Sequence, residues 1–175
     1  LLCAQVSPKY WRDTKKMVEH ARELRALAKN VAIKAPCTRA GIAAMEEMAA
    51  LSIPVNATVS FSVAQAVTVA EALARGDARA EEAGKKKARH VVTIMIGRVD
   101  DHIKRVIDKE KILIDPAYPN WAGIAVFKAA RRVFHERKLQ ATLLAAAYRH
   151  QLHWTQLIGR GIVQTIPYSW WKQFE

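Results

Sequence analysis

Apolar residues recur along this chain in two alternating rhythms. Short runs of strand character occupy Leu1–Val6, Val31–Ala35, Ile53–Phe61, His90–Gly97, Ala141–Tyr148 and Ile162–Ile166. Between them apolar positions return every three or four residues, which is the spacing of an amphipathic helix. Asp13–Lys29 carries Met17, Val18, Ala21, Leu24, Leu27 and Ala28 on one stripe, with Asp13 placed to cap it. Thr38–Leu51 is capped by Thr38 and striped by Ile42, Met45 and Ala49. A third helix opens at Ser62 and runs through Ala66, Val69, Ala70 and Leu73 towards Gly76, read as its stop. Val99–Lys109, Trp121–Arg137 and Gln151–Ile158 complete the predicted helices.

Strand and helix in regular alternation predict an α/β fold of consecutive βα units around a parallel sheet. No linker or break in composition divides residues 1–175, so one domain is expected. An open doubly wound sheet and a closed barrel both satisfy the rhythm. No strand is followed by the Gly-x-Gly-x-x-Gly of a dinucleotide fold. The polar strand faces described below favour a (β/α)8 TIM barrel. Six units are visible where a barrel needs eight, and about 250 residues is usual for that fold. The reading is therefore an incomplete barrel without its first two strands. A start at Leu1 inside an apolar run, with no initiating Met, agrees with a fragment.

Composition narrows the function classes. The chain is 51% hydrophobic and 25% charged, so disorder is excluded as its main state. No apolar run approaches the roughly 18 residues of a membrane span, and no signal peptide stands at the front. Two cysteines, Cys3 and Cys37, make no disulfide framework, which places the chain in a reducing cytoplasm. His150 and His153 have one ligand spacing but no acidic or Cys cluster beside them in sequence; no metal and no cofactor is expected. The net charge of +12 raises nucleic acid as a partner. The one dense basic cluster, Lys85-Lys86-Lys87 with Arg89, has no aromatic interleaving, so phosphorylated metabolites are the preferred partners.

Candidate chemistry begins at Lys34 in Val-Ala-Ile-Lys-Ala-Pro, a strand otherwise fit for burial on both faces. Alternation puts Ala32 and Lys34 on one face and Val31, Ile33 and Ala35 on the other. If the bulky face meets the helices, the lysine points inward. Desolvation in such a place disfavours an ammonium and leaves an amine able to attack a carbonyl. The ordinary alternative is a lysine snorkelling to solvent at a strand end. In the next strand Asn56, Thr58 and Ser60 share one face, with Val55, Ala57, Val59 and Phe61 on the other. Under a helical cover the polar stripe must line the interior and suits a polyol and a water. Thr93, Met95 and Gly97 alternate along the fourth strand, with Arg98 just beyond. Ala145 and Ala147 face the same way as Arg149 at the end of the fifth. Arginines at strand ends are well placed for a phosphate.

These stretches, in this order, resemble the transaldolase family. Ile-Lys-Ala-Pro-Cys-Thr-Arg-Ala-Gly-Ile, Ile-Pro-Val-Asn-Ala-Thr-Val-Ser-Phe-Ser, Val-Thr-Ile-Met-Ile-Gly-Arg-Val-Asp and Ala-Ala-Ala-Tyr-Arg carry the likeness, from the family's third barrel strand to its eighth. The resemblance implies a (β/α)8 barrel that transfers a dihydroxyacetone unit from a ketose phosphate to an aldose phosphate through a lysine Schiff base. It implies Lys34 as that lysine, Asn56 and Thr58 as groups positioning the intermediate and its water, and Thr93 as a substrate contact. Ser60 belongs to the same polar stripe, and Arg98 and Arg149 would hold the phosphate. Gln5 stands where family members carry a glutamate; it can orient a water but cannot exchange a proton near neutral pH. Ala147 replaces a serine. The aspartate that the family places on its first strand has no counterpart among these residues. Two alternatives stay open: an aldolase that releases free dihydroxyacetone from fructose 6-phosphate, and a degenerate, non-catalytic barrel fragment. A homo-oligomer is also left open.

Overall fold

The computed structural model describes residues 2–174. Six strands, β1 (Leu2–Gln5), β2 (Val31–Pro36), β3 (Val55–Thr58), β4 (Val91–Met95), β5 (Thr142–Ala146) and β6 (Ile162–Gln164), form one sheet. Every neighbouring pair is parallel, and the spatial order β1-β2-β3-β4-β5-β6 is the order in sequence. A doubly wound sheet reverses its strand order at a switch point. This one never does, so the topology is that of consecutive units of a (β/α)8 barrel, present in part. Among the described residues β1 and β6 each have one strand neighbour. Leu1, the start of the first expected strand, lies outside the described residues.

The longer helices start where local chemistry starts them. The Asp13 carboxylate accepts from Lys16 N–H (3.0 Å) at the head of α1 (Thr14–Leu27). Thr38 Oγ1 accepts from Gly41 N–H (2.9 Å) before α2 (Arg39–Ala50). Ser62 and Gln65 form a reciprocal capping box at the start of α3 (Val63–Glu82). Each satisfies backbone donors that the first helical turn leaves unpaired. Their apolar stripes, Met17 and Ala21, then Ala44, Met45 and Met48, then Val69, Ala70 and Leu73, pack on Ile33, Val55, Ala57 and Val92 of the sheet. α4 (Ile96–Glu110) and α5 (Ala122–Glu136) cover the other half with Ile96, Ile124, Phe127 and Phe134. The short α6 (Leu152–Thr155) and α7 (Tyr168–Trp171) follow β5 and β6.

Several boundaries differ from expectation, each for a tertiary reason. Gly76 does not end α3. A Cβ there would lie 2.2 Å from Glu46 O, so the glycine lets α2 and α3 touch, and ion pairs Arg75–Glu46 and Arg79–Glu47 flank the contact. The fourth strand ends at Met95, so Gly97, expected on the strand, lies with Arg98 in the first turn of α4. The third strand ends at Thr58, because Val59 turns into the left-handed region (φ 58°) and leaves the stripe expected of Val59 and Phe61. α6 has only four residues where Gln151–Ile158 was predicted.

Candidate functional site

The sheet presents one face to the helices and one away from them. Ile33, Val55, Ala57, Val92, Ile94, Leu143 and Ala145 belong to the helix-facing core. The alternate residues therefore face away from the helices, and register aligns them across the strands. Gln5 is level with Lys34, Lys34 with Asn56, and Asn56 with Val91. Neighbouring strands lie about 4.8 Å apart, so the row from Gln5 to Asn56 spans about 10 Å. This row is where the sequence placed its nucleophile and two polar partners.

Asn56 and Thr93 are buried, and the Thr93 hydroxyl donates to Asn56 Oδ1 at 2.7 Å. Asn56 Nδ2 in turn donates to Cys3 Sγ at 3.4 Å. The amide is held on both sides, with its plane fixed beside Lys34. Lys34 is half-buried, and its Nζ makes no ion pair or hydrogen bond among the described residues. The Lys34 side chain is thus only partly withdrawn from solvent, and Gln5, its neighbour on β1, is exposed. Thr58 closes β3, opposite Pro36 of β2. Ser60 is fully buried, but its hydroxyl donates to the Thr93 carbonyl and its own carbonyl accepts from Met95 N–H (3.0 Å). Ser60 thus ties the loop after β3 to β4 and leaves the polar row at Thr58.

The arginines stand apart from that row, on the same end of the parallel sheet. Arg98 is exposed and, with Phe61, Asp101, His102, Lys104 and Arg105, lines a cleft that includes neither Lys34 nor Asn56. Arg149 follows β5, and its guanidinium forks onto Asp101 (Nη2–Oδ2 2.8 Å, Nε–Oδ1 3.2 Å). An anion at Arg149 must therefore share it with Asp101. Ala145 does not face the way expected: it pairs with Ile94 and packs into the helix-facing core. Ala147 lies past the strand end at φ 65°. The run Ala-Ala-Ala offers no contrast between faces, so alternation could not set the phase there.

A second cluster was not foreseen. Asp100, half a century of residues upstream, is the acidic companion that His150 and His153 lack in sequence. Its Oδ2 accepts from His153 Nε2 (2.7 Å) and His150 Nε2 (3.1 Å), and its Oδ1 from Gly123 N–H (2.8 Å). Burial pushes the Asp100 carboxyl up, but the bonds from His153, Gly123 and His150 together hold it below its usual value. Desolvation, set against the Asp100 bond, lowers the His150 imidazole. The signal available in sequence was the His-x-x-His spacing together with the Asp100-Asp101 pair in a basic chain. The basic cluster Lys85–Lys87 lies in the loop between α3 and β4, at the opposite end of the strands.

Over residues 1–175 the chain matches the family described as Transaldolase/Fructose-6-phosphate aldolase. It is 36% identical over 190 residues to a protein named transaldolase from Neisseria meningitidis serogroup C / serotype 2a, covering 97% of this chain and 53% of that one. A probable transaldolase of Oceanobacillus iheyensis is 28% identical over 158 residues, covering 90% of this chain and 59% of its own. Transaldolase 1 of Streptomyces avermitilis is 28% identical over 187 residues, covering 93% and 50%. The chain spans about half the length of the curated relatives it matches.

Proposed function

Because the chain belongs to the Transaldolase/Fructose-6-phosphate aldolase family, we propose that it contributes the Schiff-base half of a transaldolase site. The observation that carries the reading is the in-register row Gln5–Lys34–Asn56, with Thr93 fixing the Asn56 amide. The Lys34 amine attacks the carbonyl of a ketose phosphate, and loss of water from the carbinolamine gives an iminium. The iminium accepts the electron pair as the bond between the third and fourth carbons breaks. The retained enamine then attacks the aldehyde of an acceptor aldose phosphate. Asn56 Nδ2 orients the hydroxyls of the bound unit, and Gln5 and Thr58 orient the water. No carboxylate lies in this row, so the proton released at cleavage needs a base from elsewhere. Arg98 and Arg149 attract the phosphate, and the two unpaired cysteines fit a reducing cytoplasm.

Borohydride tests this reading. With fructose 6-phosphate it should fix a three-carbon adduct on the peptide carrying Lys34. Lys34→Arg should lose the adduct, because a guanidinium stays protonated and forms no imine. An undiminished adduct in that variant refutes the assignment. The aldolase reading is separated by product: transfer to glyceraldehyde 3-phosphate supports a transaldolase, free dihydroxyacetone an aldolase.

A further inference from the structure

The Asp100 cluster joins three parts of the chain at the end of the sheet where the arginines stand. Asp100 belongs to the second turn of α4, two residues after Arg98. Gly123, its backbone donor, opens α5, and His150 and His153 lie in and after the loop that carries Arg149. His153 and Asp100 are both completely buried. His153 Nδ1 accepts from the backbone N–H of Arg149 at 3.0 Å, so its proton must sit on Nε2, where it is donated to Asp100. The two imidazoles lie with centroids 3.8 Å apart and their planes tilted by 47°.

One reading of two histidines and an aspartate is a metal site, since their ligand atoms lie within 4.8 Å of one another. The second contact of His153 argues against it. A metal-bound imidazole donates its other N–H outward, whereas Nδ1 here receives a backbone N–H and Nε2 is already protonated. What the cluster does hold is Arg149, at two points. The backbone is pinned through His153 to Asp100, and the guanidinium is forked onto Asp101, the next residue of the same helix.

We infer that Asp100 and His153, with His150, are positioning residues that set Arg149 against Arg98 and so build the phosphate end of the site. This rests on the function proposed above and adds to it residues that touch no substrate. His153→Gln retains an amide donor towards Asp100 but withdraws the acceptor from Arg149 N–H. Asp100→Asn puts a donor where two donors converge.

The test uses the intact natural protein containing these residues, with fructose 6-phosphate and dihydroxyacetone as alternative donors. Both variants should raise KM for the phosphorylated donor about tenfold, with kcat and the KM for dihydroxyacetone changed by less than about twofold. Equal losses with both donors would mean a merely structural role and overturn the inference. Should Asp100→Asn fail to fold, His153→Gln decides, together with a titration of the unaltered protein with inorganic phosphate. Phosphate should move the ring nitrogen resonances of His153 along with the Arg149 amide; a silent His153 overturns the inference. Failure of the proposed function is read separately, as absence of a borohydride-fixed adduct at Lys34 with either donor.

Discussion

Gly97 is the point at which α4 meets the loop after β5, and replacing it by alanine tests how the arginine end of the site is assembled. A Cβ on Gly97 would lie 1.8 Å from Ala147 O and 2.9 Å from Arg149 Cγ, where ordinary contact begins at 3.4 Å. Two effects oppose each other. Alanine in a helix is worth up to about 1 kcal/mol over glycine. Overpacking costs about 1–3 kcal/mol, and more where the neighbour cannot recoil. The neighbour here is backbone. Ala147 already sits at φ 65°, and the residues after it are tied down by Arg149 N–H on His153 and the guanidinium on Asp101. The steric cost therefore wins, with a net loss of about 2 kcal/mol. For a urea slope of about 2 kcal/mol per molar, the midpoint should fall by about 1 M. Phosphate affinity should fall with it, because the loop can make room only by carrying Arg149 away from α4. An unchanged or higher midpoint would refute the close approach and, with it, the account of how the loop is held.

Two further outcomes follow from the same region. Arg98→Ala and Arg149→Ala should each raise KM for phosphorylated donors far more than for dihydroxyacetone, since a charge-assisted contact is worth about 1.5–3 kcal/mol; equal losses would make them structural. Losing the half-exposed Arg149–Asp101 pair should itself cost stability no more than about 1 kcal/mol. Acidification should destabilise the protein in two stages, followed by urea midpoints across pH. His150 is held below its usual 6.5 chiefly by burial, so unfolded chains bind its proton first and stability falls as pH drops through that value. Asp100 is likewise held below 3.8, and Asp13 and Glu47 below their own usual values, so the second loss comes as pH falls further; His150→Gln should reduce the first stage and leave the second.

What was legible in the sequence was what local chemistry decides. Asp13, Thr38 and Ser62 cap their helices because a side-chain oxygen meets a donor two or three residues away, whatever the rest of the chain does. Lys34 and Asn56 fell on the right face because period-two alternation holds within β2 and β3, where large and small, apolar and polar residues contrast. Ser60 was misplaced because the strand stops where its hydroxyl and carbonyl find β4, a bond across 33 residues. Gly76 and Gly97 read as a stop and a strand residue, yet both are close approaches to backbone distant in sequence. The Asp100–His153 bond spans 53 residues, and no window of periodicity contains both ends.

The same distinction explains how the two ends of the site are kept in step. Asn56 is level with Lys34 on the neighbouring strand, and its amide is held by the Thr93 hydroxyl. The carbonyl of Thr93 receives Ser60, whose own carbonyl takes Met95 N–H, the last strand residue before α4. Arg98 stands in the first turn of that helix, and Asp100 in its next turn carries the loop of Arg149. These contacts therefore link the amine row to the arginines through β4, the loop after β3 and α4. A shift of β4 relative to β3 would alter the distance between Lys34 and both arginines, whereas a shift of β5 would disturb only Arg149. Replacing Thr93 by valine removes the hydroxyl that holds Asn56 but leaves the carbonyl that receives Ser60, so its effect should be felt at the amine row and not at the arginines.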